Sequence, residues 1–114
     1  MAYTKAGTSD VESLSEEYYG GMWLFEETLG AETFELAILE LEPGGRGKEH
    51  DHAEENQEEV YLVVDGTVEV EFEDGSVELE ENEAVYMTPD QQRQIQNTGD
   101  ERAKIVVVGA VLDE

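Results

Sequence analysis

After residue 20, short segments in which apolar residues alternate with polar ones, or form continuous runs, are separated by turn residues. The pattern is strictest between residues 67 and 73, where Val68, Val70 and Phe72 are separated by glutamates. Because successive side chains of a strand point to opposite faces, this alternation predicts a strand with an apolar inner face and an acidic outer face. Further alternating or continuous apolar segments predict strands at residues 22–28, 32–42, 59–64, 77–79, 84–88, 93–97 and 104–112.

Turn signals separate these strands, and no long helix is predicted. Asp74-Gly75 predicts a hairpin turn of type I′, Glu81-Asn82 predicts another turn, and Gly109 is expected to interrupt the last strand. About eight or nine short strands with turns between them indicate an all-β sandwich or barrel.

The chain is organised as one domain with a short polar extension. With 114 residues it is long enough to bury a core of its own. Residues 1–19 are predicted to form an N-terminal polar arm and residues 20–114 the folded domain. Within the arm, residues 9–17 are compatible with a helical turn, and residues 18–21 (Tyr-Tyr-Gly-Gly) mark a turn. There is no internal repeat.

The charge is strongly acidic, with 30 acidic residues against 6 basic ones and a formal net charge of −24. Nucleic acids and anionic membrane surfaces are not expected as partners, because binding them requires clustered Lys and Arg. High net charge can indicate disorder, but here the acids alternate with apolar residues, which indicates ordered strands with acidic outer faces. Self-repulsion on this scale destabilises a compact state unless salt screens it. The sequence therefore predicts an acidic, salt-adapted protein of a salt-accumulating organism.

The sequence also bears on the compartment. It contains no cysteine, so there is no disulfide framework and no thiolate chemistry. No apolar run is long enough to cross a bilayer, and the first ten residues lack an apolar signal core. The expected location is the cytoplasm.

The candidate chemistry lies between Gly44 and Gly66. His50 and His52, the two histidines of the chain, are one residue apart, so both side chains share a face if this segment is extended. Glu59 opens the apolar run that follows. Two imidazoles and a carboxylate on neighbouring antiparallel strands form a set of ligands for a divalent transition metal. The alternative is that both histidines are simply solvated in an acidic loop.

This segment resembles the first motif of the cupins, which is G-x5-H-x-H-x3–4-E-x6-G. Gly44, His50 and His52 match its first half, and Glu59 and Gly66 match its second half. The spacer between the second histidine and the glutamate has six residues instead of three or four. Gln57 or Glu58 could therefore compete for the ligand role, and we prefer Glu59 because its distance from Gly66 fits the motif.

The second cupin motif, G-x5-P-x-G-x2-H-x3-N, is degraded in this chain. Its counterpart is the segment at residues 82–97, in which only the final Asn97 matches. Asn82, Thr88 and Asp90 replace the two glycines and the proline. Arg93 replaces the histidine that is the fourth metal ligand in metal-binding cupins. Because arginine stays protonated and does not normally bind metals, this replacement leaves two possibilities open.

In the first possibility, His50, His52 and Glu59 hold iron, manganese, nickel or zinc with open positions, and Arg93 binds an anionic small molecule. The resemblance then implies dioxygenase- or isomerase-like chemistry, with no catalytic residue identifiable. In the second, Arg93 pairs with Glu59 in a metal-free barrel that binds or senses a small ligand.

The resemblance, which covers residues 20–112, implies a double-stranded β-helix, or jelly-roll barrel, with little helix. Gln57, Tyr61, Gln91 and Arg93 are candidates for contacting the ligand or supporting the metal ligands. Small cupins commonly pair through sheet edges, so we also expect a homodimer, with residues 22–25 as the candidate edge.

Overall fold

The computed structural model of the chain describes residues 2–14 and 20–112. Within the first of these ranges, the N-terminal arm forms one turn of 3-10 helix at Thr8–Asp10. The end of the helical turn suggested for residues 9–17 and the start of the turn suggested for residues 18–21 lie outside the described residues. Among the residues described, no helix combines the length and apolar character that crossing a bilayer requires.

Eight strands account for nearly half of the described chain, which confirms the prediction of an all-β fold. The strands are β1 (Gly21–Leu24), β2 (Phe34–Leu41), β3 (Gln57–Asp65), β4 (Val68–Phe72), β5 (Gly75–Leu79), β6 (Ala84–Met87), β7 (Arg93–Asn97) and β8 (Ala103–Val111). They form two antiparallel sheets with the orders β1-β2-β8-β3-β6 and β5-β4-β7. The core lies between the two sheets.

The inward side chains follow the period of two that the sequence predicted. On β4, Val68 and Val70 are fully buried, and on β8 Ile105 and Val107 are buried while their neighbours in the chain are not. Burying such branched apolar side chains stabilises the fold by about 1.5–3 kcal/mol each relative to leaving them exposed. The alternation therefore determines which face of each strand joins the core.

The strand predicted at residues 22–28 is wrong beyond Leu24. One helical turn, α1 (Glu26–Leu29), follows the buried Phe25, and Gly30 ends it with a φ of +80°. The N–H of Phe25 still donates to the carbonyl of Leu36, so the chain leaves the sheet directly after this bond. The left-handed conformation at Gly30 lets the turn close without the steric cost that a side chain would add.

Two turn predictions also need correction. The hairpin between β4 and β5 exists, but its φ is positive only at Gly75, which already pairs with Phe72, so the turn is not of type I′. Gly109 does not interrupt β8, because it pairs with residues on both neighbouring strands. The turn at Glu81-Asn82 is confirmed, and Asn82 adopts a φ of +72° there.

Candidate metal-binding site

Backbone hydrogen bonds outside the regular strands hold the two histidines in place. His50 forms an isolated bridge with Arg93, in which each residue's N–H donates to the other's carbonyl at 2.9 Å. The N–H of His52 donates to the carbonyl of Pro89 at 2.8 Å. The histidine segment is therefore fixed against the start of β7 and the loop before it, although it forms no regular strand.

The long spacer after His52 folds back on itself. Its residues 53–56 form a turn in which Asn56 adopts a φ of +53°, and the N–H of Gln57 then donates to the carbonyl of His52. β3 starts at this point, so Glu59 lies two residues into the strand and beside the histidines. The extra residues of the spacer are accommodated in the turn and leave the three candidate ligands together.

His50, His52 and Glu59 converge closely. One potential ligand atom from each of them lies within 4.8 Å of the others. The two imidazole rings meet edge to face with centroids 4.9 Å apart, and His52 Nε2 lies 3.4 Å from Glu59 Oε2. The predicted set of two imidazoles and one carboxylate is therefore brought together by the fold.

Hydrogen bonds also orient the imidazole rings. His50 Nδ1 lies 2.8 Å from the carbonyl oxygen of Lys48, so this nitrogen carries the proton and Nε2 keeps its lone pair. His52 Nδ1 lies 3.3 Å from the carboxylate of Glu55. Metal-binding histidines usually donate their second N–H to a carbonyl or carboxylate in this way. Burial lowers the pKa of His50, which favours the neutral form that a metal requires.

Arg93 and Glu59 form a buried pair of opposite charges. Arg93 is fully buried, Glu59 is 4% exposed, and Arg93 Nη1 lies 3.7 Å from Glu59 Oε1. Arg93 Nη2 donates to the carbonyl of Thr88, but Arg93 Nε, Arg93 Nη1 and Glu59 Oε1 have no hydrogen-bond partner. Burial raises the pKa of Glu59, and the nearby His52 and Arg93 oppose that rise. Unpaired buried groups of this kind are costly and often indicate a missing ligand or ion.

A cavity of about 200 Å³ opens beside the three candidate ligands. Its polar side is formed by the two histidines, Glu59 and two further charged residues, and its other side is mostly apolar. The polar lining comprises Glu35, Lys48, His50, His52 and Glu59, and the remaining lining comprises Met22, Leu39, Gly47, Tyr61, Ile95 and Val107. An apolar cavity with a few convergent polar groups is typical of a site for a small molecule.

Glu35 was missed by the sequence analysis. It lies on β2, and its carboxylate accepts a hydrogen bond of 3.0 Å from Gln57 Nε2. This bond crosses Gly109, where an added Cβ would lie 2.4 Å from Gln57 Nε2. Burial raises the pKa of Glu35, and the bond from Gln57 opposes the rise. The signal was present in the alternation, because Glu35 shares the inward face of Ala37 and Leu39.

Of the other predicted site residues, some lie at the cavity and others do not. Gln57 holds Glu35, and Tyr61 lines the cavity, where burial raises the pKa of its phenol. The side-chain amide of Gln91 donates to the carbonyl of Gln92, and Gln91 is not among the lining residues. Glu58, which competed with Glu59 for the ligand role, accepts a hydrogen bond from the hydroxyl of Tyr86 instead.

These features define a jelly-roll barrel with two histidines and a glutamate in its cavity. The family model described as a cupin domain matches residues 37–109, which include all three candidate ligands and Arg93. The chain belongs to the cupin family, and the predicted cupin fold is confirmed. No curated protein matches the chain.

Solved structures agree on the fold. A sugar phosphate isomerase from Silicibacter pomeroyi matches with a TM-score of 0.79 and 19% identity, over 96% of this chain and 76% of that one. A predicted oxalate decarboxylase from Thermotoga maritima matches with a TM-score of 0.77 and 17% identity, over 96% and 100%. A polyketide cyclase from Streptomyces resistomycificus matches with a TM-score of 0.77 and 18% identity, over 96% and 80%. At these identities the likeness shows the fold alone, and the three names differ in chemistry.

Proposed function

We propose that this cupin binds one divalent transition metal through His50, His52 and Glu59, and a small organic ligand in the adjoining cavity. The observation that carries the proposal is the convergence of three ligand atoms within 4.8 Å. The residues fit a metal, because the bond from His50 Nδ1 to a carbonyl leaves its Nε2 unprotonated, and because Glu59 Oε1 is buried without a partner. Imidazole and carboxylate ligands suit iron, manganese, nickel and zinc.

Three protein ligands leave coordination positions for a small molecule. When bound, the metal would act as a Lewis acid on an oxygen of that molecule. The chain's own residues would orient the molecule, since the apolar wall of the cavity excludes water on one side. Glu35, whose pKa is raised by burial, can hold a proton on its carboxyl group near this position.

Arg93 favours an anionic ligand. Its Nε and Nη1 are buried donors without partners, and Nη1 lies beside the candidate ligand Glu59. Arg93 is fully buried and is not among the lining residues of the cavity, so it would act through its charge and not through direct contact. With a divalent metal, Arg93 and Lys48 against Glu35 and Glu59, the centre would carry excess positive charge that a carboxylate group would neutralise. The charge of the centre therefore favours a small acid as the ligand. If the chain is an enzyme, the cupin resemblance implies a dioxygenase- or isomerase-like reaction on that acid.

The second candidate function is a metal-free barrel that binds or senses a small ligand without catalysis. The observation that favours it is the buried Arg93–Glu59 pair, in which an internal cation already lies 3.7 Å from the carboxylate. Arg93 then takes the place of the metal charge. The two histidines would serve as hydrogen-bonding groups of the cavity.

Elemental analysis distinguishes the two candidates. The chain, purified in high salt without a histidine tag or chelators, is compared with His52→Ala. About one iron, manganese, nickel or zinc per chain, lost in the variant, is expected if His50, His52 and Glu59 bind metal. Absence of metal from the wild-type chain, even after soaking with each ion, contradicts the metal site and leaves the metal-free barrel.

We also propose that the chain works in a salt-rich cytoplasm and does not bind nucleic acids or membranes. The net charge of −24 supports this, together with the outward glutamates of β4 and β5. Since salt screens repulsion between exposed charges, the melting temperature should rise steeply with KCl up to molar concentrations. A flat dependence would contradict the salt adaptation.

A further inference from the structure

The alternation that places His50 and His52 on one face extends one step further back along the chain, to Lys48. One acidic residue, Glu49 or Asp51, separates each of these three residues from the next. Lys48, His50 and His52 all line the cavity, and the two acidic residues between them do not. Because side chains two residues apart in an extended segment share a face, Lys48 points into the same cavity as the candidate metal ligands.

Backbone hydrogen bonds fix this segment along β7. The N–H of Gly47 donates to the carbonyl of Ile95 at 2.9 Å, and His50 forms its bridge with Arg93. The carbonyl of Lys48 accepts the hydrogen bond from His50 Nδ1 at 2.8 Å. The backbone around Lys48 is therefore held on both sides, and this orients its side chain towards the cavity.

Lys48 is the only basic residue in the lining of the cavity, as far as the described part of the chain is concerned. Arg93 and Arg102 pair with glutamates, whereas no carboxylate in residues 2–14 and 20–112 pairs with the ammonium group of Lys48. The chain has 30 acidic residues against 6 basic ones, so a lysine without such a pair is unusual here. Its three N–H donors are available to an anion in the cavity.

The apolar part of the lining determines what kind of anion fits. It includes Met22, Leu39 and Val107 from the larger sheet and Ile95 from β7. A molecule with many hydroxyl groups would leave most of them without partners against these side chains, which is costly. An apolar cavity of about 150 Å³ is large enough for benzene. The cavity here, of about 200 Å³, therefore suits an apolar body of that size with one carboxylate attached.

A second carboxylate on the ligand would not be matched. Glu35 lines the cavity from β2 of the larger sheet, and the candidate metal ligand Glu59 lines it from β3. Lys48 lies beside β7 of the smaller sheet, so one carboxylate can bind there. Another carboxylate in so small a cavity would be repelled by the two glutamates.

We infer that Lys48 determines the specificity of the cavity, and that the ligand is a small apolar monocarboxylate whose carboxylate binds the ammonium group of Lys48. The inference rests on the ligand cavity of the proposed function and does not depend on a bound metal. Arg93 contributes through its charge, and Lys48 makes the contact.

The test compares the binding of benzoate and benzamide, which have nearly the same shape but differ in charge. NMR titrations of the full chain use the lowest KCl concentration at which it is folded, because salt screens the contact. The wild-type chain should bind benzoate with a dissociation constant of about 1 mM or lower. It should prefer benzoate to benzamide by about 10-fold, as expected for a hydrogen bond between charged groups.

Variants of Lys48 separate its side chain from its backbone. Lys48→Gln should lose the preference for benzoate and keep the affinity for benzamide, because the backbone carbonyl that holds His50 remains. Lys48→Arg should retain the preference. The control is Lys104→Gln, which makes the same charge change at an exposed lysine of β8 outside the cavity and should leave both affinities unchanged. Succinate, which carries two carboxylates, should bind at least about 10-fold more weakly than benzoate.

Each contrary result overturns a defined part of the inference. If the wild-type chain binds benzoate and benzamide equally, or if Lys48→Gln keeps the preference, Lys48 does not bind the carboxylate, while the ligand cavity stands. Loss of both affinities in Lys48→Gln shows that the lysine supports the cavity and does not determine its specificity. Stronger binding of succinate than of benzoate overturns the class of ligand. If neither benzoate nor benzamide binds, the ligand cavity of the proposed function is contradicted as well.

Discussion

Strand β7 begins with Arg93 and ends with Asn97, and both polar side chains are buried. Asn97 has every hydrogen-bonding group paired. Its amide donates to the carbonyls of Leu41 and Glu101, and its Oδ1 accepts from the N–H of Gly99. Arg93 has one paired nitrogen and two without partners.

The comparison separates a buried polar side chain that is fully paired from one that still has unpaired donors. A fully paired buried amide fixes the surrounding backbone and leaves nothing for a ligand to bind. A buried guanidinium with free donors is costly to fold around, and such a cost is usually tolerated where a ligand is bound. One short strand therefore links the fully paired Asn97 to the end of the barrel that carries the candidate site.

The largest change in the free energy of unfolding is expected at Asn97. Asn97→Ala leaves two carbonyls and one N–H without their partner, which should lower the free energy of unfolding by about 2–4 kcal/mol. Asn97→Asp keeps the acceptor for Gly99 and, when protonated, one donor in place of two, so the protonated form should be intermediate. Urea denaturation measures both variants. A neutral effect of Asn97→Ala would contradict the structural role.

A smaller and conditional effect is expected at the site end. In the absence of metal, Arg93→Met removes the cation beside Glu59 and should lower the free energy of unfolding by about 1–3 kcal/mol at pH 8. This loss is smaller than the loss from breaking a well-formed buried pair, because two Arg93 nitrogens are themselves unpaired. The loss should shrink when metal is added. It should also shrink as the pH falls through the raised pKa of Glu59, because the protonated carboxyl needs no cation.

The control for this prediction is Arg102→Met. Arg102 also pairs with glutamates, at 2.6 Å in the case of Glu40, but 40% of its side chain is exposed. Exposed ion pairs contribute little to stability, so Arg102→Met should lower the free energy of unfolding by no more than about 1 kcal/mol, and added metal should not change this value. If Arg93→Met shows the same indifference to metal and pH, Arg93 and Glu59 are not coupled as we describe.

The smallest effect is expected at Glu35. Burial raises its pKa, so the folded state holds this proton more tightly than the unfolded state and loses stability as the pH rises through that raised pKa. Glu35→Gln removes this loss, so it should raise the free energy of unfolding by less than about 1 kcal/mol at pH 8. Below the pKa of a glutamate in the unfolded chain, the variant should not be more stable than the wild type. Thermal unfolding at several pH values measures it, and a gain that persists at low pH would rule out ionisation as the cause.

Local patterns predicted the fold and part of the site. His50 and His52 could be recognised because a single residue separates them, and Glu59 because its distance from Gly66 matched a motif. Strand faces followed from alternation, as Val68 and Val70 show. Each of these inferences depends on spacing within a short stretch of chain.

Features that depend on pairing between distant segments were not predicted. Alternation alone places Glu35 on the inward face of β2, but its contact with Gln57 also requires the register in which β8 aligns Gly109 between β2 and β3, and no local signal gives that register. The pairing of Arg93 with Glu59 was one of the two possibilities that the second motif left open, but the burial of both side chains depends on the packing of the two sheets. The turn after Phe25 was missed because the predicted strand was extended through the polar residues 26–28, where tertiary packing favours a helical turn.

The position of β8 has a consequence for the order in which the molecule is made. It follows all the other strands along the chain, yet it lies between β2 and β3 in the sheet. On the ribosome, the segment with His50, His52 and Glu59 emerges before β8 does, and during that interval β2 and β3 lack the strand that joins them. The wall of the cavity that Val107 provides is completed only when β8 inserts, so a ligand can be enclosed in the finished cavity only after that last strand is in place.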